Sequence, residues 1–208
     1  INLVSDTTRT SSYELMRAVG YVDMLIPRGG KGLIKSVVEN ATVPVVETAA
    51  GNCHIYFDAS ADLNMAVDII DNAKRSRPSV CNAAENLLVH KAVAEKFLPL
   101  MKVRLDKKNV ELRGDEKTCK ILNGINKATD EDFYTEYNDY ILAIKVIDTL
   151  SDAIAHINKH STGHSEAIIT KNTETAKEFT TRVDSAAVYV NASTRFTDGG
   201  EFGLGCEM

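Results

Sequence analysis

The run ILAIKVIDTLSDAIAHINKHSTGHSEAIIT, residues 141–170, carries the decision about the fold. It opens with Ile141-Leu142-Ala143-Ile144-Lys145-Val146-Ile147, a near-continuous apolar run of strand length. Residues 151–159 follow at helical spacing, and residues 165–170 make a second apolar strand. Strand, helix, strand is the repeating unit of an α/β sheet whose faces are covered by helices. The alternation extends in both directions. Downstream, residues 173–182 read as a helix and 186–190 as the last clear strand. Upstream, 110–113 is a short strand before a turn at Gly114-Asp115, the pattern from Lys91 to Leu105 is helical, and Leu87-Leu88-Val89-His90 is a strand. Residues 62–73 form an amphipathic helix; 43–47 and 54–57 read as two buried strands around a tight loop. Residues 10–19 read as a helix and 22–26 as a strand, followed by glycines and a further helix from Leu33. The polar middle, 106–131, shows no chemistry.

The 208 residues are 44% hydrophobic and 25% charged, which excludes collagen-like, disulfide-scaffold and wholly disordered readings. With 24 Lys plus Arg against 29 Asp plus Glu, the net charge of -5 offers no broad basic field for nucleic acid or an anionic membrane. No apolar run approaches the ~20 residues of a membrane span, so a soluble chain with neither nucleic acid nor membrane as partner is expected. Cys53, Cys81, Cys119 and Cys206 stand far apart without a CxxC pair, which argues against zinc and for free thiols in a reducing cytoplasm. His156 and His160 are four apart, but no third ligand stands near, and no metal is expected. The chain begins at Ile1, its first residues lack the regions of a signal peptide, and it reads as a piece of something longer.

Cys81 is the first candidate for chemistry. It lies in Arg77-Pro78-Ser79-Val80-Cys81-Asn82-Ala83, after a helix break, with Lys74, Arg75 and Arg77 upstream. Positive charge, and a helix N-terminus if one starts at Cys81, would favour the nucleophilic thiolate. The bland alternative is a small core residue. Cys53 competes, although its strand context favours the core. Gly29-Gly30-Lys31-Gly32 stands between strand and helix, the order of a phosphate-binding turn, yet it is too short for the established glycine motifs and equally suits an ordinary helix entry. Glu47 ends an apolar strand, where a carboxylate needs a cavity or a partner. Glu136 precedes the strand at Ile141 and reads equally as a solvated loop residue. The run Asn191-Ala192-Ser193-Thr194-Arg195-Phe196-Thr197-Asp198-Gly199-Gly200 follows the last strand at its carboxyl end, where α/β sheets place ligands. Arg195 with the hydroxyls of Ser193 and Thr194 could hold a carboxylate or phosphate, or be one solvated arginine on a polar loop.

Read together, these segments strongly resemble the gamma-glutamyl phosphate reductase (glutamate-5-semialdehyde dehydrogenase) family of the aldehyde dehydrogenase superfamily. The resemblance rests on Ile26-Pro27-Arg28-Gly29-Gly30-Lys31-Gly32-Leu33-Ile34, Glu39-Asn40-Ala41-Thr42-Val43-Pro44-Val45, Gly51-Asn52-Cys53-His54, the Cys81 run, Thr135-Glu136-Tyr137, Ser161-Thr162-Gly163-His164-Ser165 and the Asn191 run, in this order and over nearly the whole chain. It implies an aldehyde dehydrogenase-like three-layer α/β/α catalytic domain in residues 45–208, incomplete at its C-terminus. The last piece of a Rossmann-like NADP-binding domain would precede it in residues 1–44. Cys81 is implied as the nucleophile, and Glu47 stands where hydrolytic relatives keep a general base. Arg28, Gly29 and Gly30 match the loop near the cofactor's phosphates and nicotinamide, and Glu136 the carboxylate that holds the nicotinamide ribose. Asn191, Ser193, Thr194 and Arg195 match a substrate-anchoring loop.

The implied activity is NADPH-dependent reduction of gamma-glutamyl 5-phosphate to glutamate 5-semialdehyde and phosphate through a cysteine thioester, the second step of proline biosynthesis from glutamate. Two rivals stand beside it: a hydrolytic NAD(P)-dependent aldehyde dehydrogenase, and a non-catalytic half-dehydrogenase interaction module. The implied partners are the substrate, the glutamate kinase that supplies it, and further copies of the chain in a cytoplasmic homo-oligomer of two or more. Roughly the first half of such a reductase is expected to be missing, with most of its cofactor domain and its oxyanion asparagine, so this length alone is expected to be inactive. Two positions depart from the family pattern: Ala49, where glycine is common, and Cys206, where a small residue is usual.

Overall fold

The computed structural model describes residues 2–47 and 50–205; Ala49 and Cys206, the two departures, lie outside the described residues. The chain divides into two units, Ile1–Ala50 and Gly51–Met208.

In the first unit α1 (Arg9–Met16) and α2 (Lys31–Asn40) carry the regular structure. Met16, Ile34, Val37 and Val43 are its buried apolar residues among those described. The Met16 carbonyl accepts the N–H groups of Thr42 (2.9 Å) and Val43 (3.2 Å), which fixes the exit from α2. The strands expected at 22–26 and 43–47 shrink to one parallel bridge, Leu25 to Val45. Among the described residues the two stubs are joined through Leu25 N–H to Pro44 O (2.8 Å) and Val46 N–H to Leu25 O (2.9 Å), and Met24, Ile26 and Val46 remain exposed. Without further ladder partners among the described residues the apolar runs do not extend.

The second unit is one seven-stranded, wholly parallel sheet. In chain order its strands are β1 (Cys53–Phe57), β2 (Ala84–His90), β3 (Glu111–Gly114), β4 (Asn126–Lys127), β5 (Ile141–Ile147), β6 (Ser165–Ile169) and β7 (Ala187–Val190). Their spatial order is β4-β3-β5-β2-β1-β6-β7. The helices are α3 (Leu63–Arg75), α4 (Lys91–Leu105), α5 (Glu116–Ile121), α6 (Leu150–His160) and α7 (Thr173–Arg182). One face buries Ile55, Phe57, Leu87, Val89, Ile144 and Val146 under α3 and α4; the Phe57 and Phe97 rings stack at 4.2 Å. The other face buries Tyr56, Leu88, Ile147 and Ile168 under Ala153, Ile154 and Ile157 of α6 and Phe179 of α7. The result is the expected α/β/α sandwich, and it explains why the central strands are apolar on both faces.

The helix starts are written locally. Asp62 accepts the Asn64 and Met65 N–H groups at 3.1 and 3.2 Å, Thr149 the Asp152 N–H at 3.2 Å, and Asn172 those of Glu174 and Thr175 at 2.9 and 3.1 Å. Asp115 does the same for Thr118 (2.9 Å), so the turn expected at Gly114-Asp115 opens into the short helix α5. The polar composition of that helix hid it.

Candidate active site

Because all seven strands are parallel, the loops entering them gather at one edge, the amino edge. Cys81 stands there, in the turn that leads into β2, and its residue is exposed. Its main chain is closely held. Gly51 lies flat against it, and a methyl group built on Gly51 would run into the Cys81 carbonyl oxygen. The Cys53 thiol donates to that same oxygen at 3.2 Å. On the next residue, Thr194 Oγ1 donates to the Asn82 carbonyl (2.7 Å) and Arg195 Nη1 donates to Asn82 Oδ1. Cys53, the rival thiol, is therefore fully buried support for Cys81; burial raises its pKa well above that of a free thiol.

The electrostatic reason anticipated for a reactive Cys81 needs correction. No helix starts at Cys81. Lys74 is buried against Glu85 at 2.6 Å, and Arg75 is held by Asp71 (2.8 Å) and the Arg104 carbonyl (2.7 Å). Partial burial, with a contribution from Glu136, raises the Cys81 thiol above its ordinary value; Arg195 and the N–H groups of Cys81 and Asn82 pull it back toward the thiolate.

Glu136 comes from the loop entering β5. Its Oε1 accepts the Gly51 N–H at 2.7 Å, which places the carboxylate beside the glycine that backs Cys81. Asn52, fully buried, joins the loops further: its Nδ2 donates to the carbonyls of Phe133 (2.7 Å) and His160 (2.9 Å), its Oδ1 accepts from Asn86 (2.6 Å), and its N–H goes to Thr162 Oγ1 (3.0 Å). Glu166, also buried, accepts the His54 N–H (2.5 Å) and the Ser161 hydroxyl. Neither Asn52 nor Glu166 stood out in the sequence as a lone residue. The signal that could have found them was the density of polar residues at the entry of apolar strands.

The loop after β7 corrects the expectation that its ligand groups gather at the carboxyl ends. Asn191 does remain there: left-handed at φ 56, it accepts the Thr170 N–H (2.9 Å) and donates to the Thr170 carbonyl (3.0 Å). The chain then runs back along the sheet. By Thr197, whose hydroxyl lies 2.6 Å from that of Ser165, it has reached the amino edge. Ser193 accepts the Arg195 N–H (3.2 Å), while Thr194 and Arg195 reach Asn82. Arg195 is only 4% exposed; its Nη2 lies 3.1 Å from Glu201 and 3.3 Å from Asp198, and its Nε is buried without a hydrogen bond. Asn191 is thus separated from the cluster that Cys81, Glu136, Thr194 and Arg195 form. Glu47, Arg28, Gly29 and Gly30 belong to the first unit; all four are exposed, and Gly30 caps α2.

The all-parallel α/β/α sandwich defines the class of fold, which is aldehyde dehydrogenase-like. The aldehyde dehydrogenase family model matches residues 126–205. Within the class the chain matches gamma-glutamyl phosphate reductases over its full length. It is 61% identical over 208 residues to the enzymes of that name from Streptococcus suis and Clostridium perfringens, covering all of this chain and 50% of each relative. The crystal structure of gamma-glutamyl phosphate reductase from Thermotoga maritima superposes with a TM-score of 0.94 at 55% identity, over 98% of this chain and 49% of that one. The chain spans about half the length of the curated relatives it matches.

Proposed function

We propose that this chain supplies the thiol-bearing part of an NADP-dependent gamma-glutamyl phosphate reductase. The observation that carries the reading is the exposed Cys81 thiol on a backbone clamped by Gly51, Cys53 and Thr194. The full-length match to reductases of that name supports it. As a thiolate, Cys81 attacks the acyl carbon of gamma-glutamyl phosphate; the carbon–oxygen bond to phosphate breaks, phosphate leaves, and a thioester to Cys81 forms. A reduced nicotinamide supplies hydride when bound. The N–H groups of Cys81 and Asn82, already beside the sulfur, stabilise the oxyanion at the former acyl carbon. Collapse breaks the carbon–sulfur bond, returns the thiolate and releases glutamate semialdehyde.

The residues fit such a cofactor. Glu136 has one oxygen on Gly51 and, among the described residues, no hydrogen bond on the other, as a ribose hydroxyl acceptor requires. α2 begins at Gly30 without a side-chain cap, which leaves its first N–H groups for a phosphate, with Arg28 and Gly29 just before it. Arg195, Thr194 and Ser193 are assigned to the substrate's anionic groups, with Glu201 and Asp198 yielding Arg195 when a carboxylate arrives. Asn191 holds the start of that loop. Glu47 is the residue to follow for the hydrolytic variant of the chemistry, in which a base activates water.

The test is NADP-linked turnover of glutamate semialdehyde by the longest available form of the protein, with and without inorganic phosphate. Phosphate-dependent turnover is expected. Phosphate-independent formation of an acid would overturn the reductase in favour of the hydrolytic enzyme, and silence from an intact chain would favour a binding module.

A further inference from the structure

A lysine and a glutamate are buried together behind the site, where the fold has no evident need of charge. Lys74, in the last turn of α3, and Glu85, on β2, are both fully buried, with Nζ and Oε2 2.6 Å apart. Burying such a pair is costly, and apolar residues of similar volume commonly serve stability as well or better. Glu85 also occupies a special place in the sheet. Cys53 pairs with Ala84 and His54 with Asn86, so Glu85 is the extra residue of a β-bulge, a device that re-aims a side chain next to a site.

The second carboxylate oxygen of Glu85 shows where it is aimed. Oε1 accepts the N–H of Asn138 at 3.3 Å, in a left-handed turn where Asn138 has φ 56. Between Glu136 and Asn138 the loop is held again by Tyr137, whose hydroxyl donates to Asp132 Oδ1 (2.8 Å); Arg113 Nη1 donates to the same oxygen (2.7 Å). Glu136 therefore sits immediately before two pinned residues, and its own carboxylate reaches Gly51 against the Cys81 backbone.

We propose that Lys74 and Glu85 are positioning residues that act through the Asn138 turn to hold Glu136 where a nicotinamide cofactor meets the Cys81 thiol. This rests on the assignment of Glu136 to the cofactor. The pair touches neither substrate nor cofactor. Lys74 keeps Glu85 oriented in the bulge, and Glu85 keeps the Asn138 N–H, and with it the loop, at a fixed height over Gly51.

The experiment uses the longest available form of the protein, with NADPH as the varied ligand, and compares Glu136→Gln, Glu85→Gln and the double variant Lys74→Met with Glu85→Leu. Cofactor KM, kcat, melting temperature and the rate of Cys81 alkylation are read for each. Glu136→Gln and Glu85→Gln are expected to raise the NADPH KM by about tenfold or more, with Cys81 alkylated at the parent rate in Glu85→Gln and faster in Glu136→Gln, which removes a carboxylate that disfavours the thiolate. The double variant is expected to melt at or above the parent temperature while its KM stays raised, since apolar packing replaces the pair's stability but not its grip on Asn138. A double variant with parent KM would overturn the proposal while leaving the Glu136 assignment intact, and one that cannot fold would overturn it by making the pair part of the framework. An unchanged KM in Glu136→Gln would remove the assignment and the proposal together.

Discussion

At the carboxyl edge of the sheet the connections of β1 and β6 leave toward opposite faces, the crevice in which open α/β sheets commonly hold a ligand. Here it is filled. Asp58 Oδ2 accepts Ser60 N–H (3.0 Å), Ser60 Oγ (2.7 Å) and Thr170 Oγ1 (2.8 Å), and Asn191 closes over the Thr170 main chain. At the amino edge the bonds run between distant loops instead. Asn52 holds Phe133, His160 and Thr162, Glu136 holds Gly51, and Thr194 holds Asn82. One edge satisfies itself and shuts, whereas the other ties several loops around one exposed thiol. Rigidity at the amino edge is thus a property of cross-linking between loops, and the free chemistry stands where that cross-linking is densest.

The largest expected effect breaks the amino edge at its centre. Cys81→Ser should reduce phosphate-dependent turnover by about 10³-fold or more in the longest available form, without lowering the melting temperature. Retention of even a tenth of the activity would move the chemistry elsewhere.

Next comes the backbone contact. Gly51→Ala places a methyl group on the Cys81 carbonyl, and overpacking of this kind should cost about 3 kcal/mol or more in denaturant unfolding, with altered alkylation of Cys81. An unchanged unfolding midpoint would mean that the two segments part easily.

The amino edge should also carry an acid sensitivity. Burial lowers the pKa of His160 and His164 and takes His156 down to about 2; neighbouring positive groups add to it for His156, Lys145 among them, and for His160, whereas Glu166 and Glu136 oppose it for His164. In the unfolded chain a histidine titrates near ~6.5. Above that pH both states are neutral and stability is flat. As pH falls below it, the unfolded chain takes up protons that the fold refuses, so His156 alone removes up to about 1.4 kcal/mol per pH unit. Unfolding midpoints at pH 7.5, 6 and 5 read this slope, and His156→Gln should flatten it.

The smallest effect belongs to the carboxyl edge. Asp148, just past β5, pairs with Lys91 (3.3 Å) and Lys117 (2.9 Å), all of them substantially exposed. Asp148→Asn should leave the unfolding midpoint within measurement error. A clear loss there would erase the contrast between the edges.

Much of this was legible in the residues. The run 141–170 gave β5, α6 and β6 nearly to the residue, because a strand buried on both faces and a helix buried on one leave different periodicities. Cys81 and Arg195 stood out by residue type and setting. The reason first offered for the thiol did not survive: Lys74 and Arg75 lie close in sequence, but α3 points them at Glu85, Asp71 and the Arg104 carbonyl. The carboxyl-end placement of the 191–200 loop failed because a sequence does not state how far a loop runs back along the sheet. The stubs at Leu25 and Val45 show the same limit: apolar runs announce strands, while ladder partners decide their length.

The amino-acid sequence by itself determined the α/β class, the order of elements, the local helix caps and the residue types able to do chemistry. These depend on periodicity and on hydrogen bonds only two or three residues long. Tertiary structure alone decided that Gly51 backs Cys81, that Cys53 supports rather than competes, that Asn191 parts company with Arg195, and that Glu85 reaches Asn138. Each of these joins residues far apart in the chain, and parallel strand order, which no local pattern encodes, is what brings their loops to one edge.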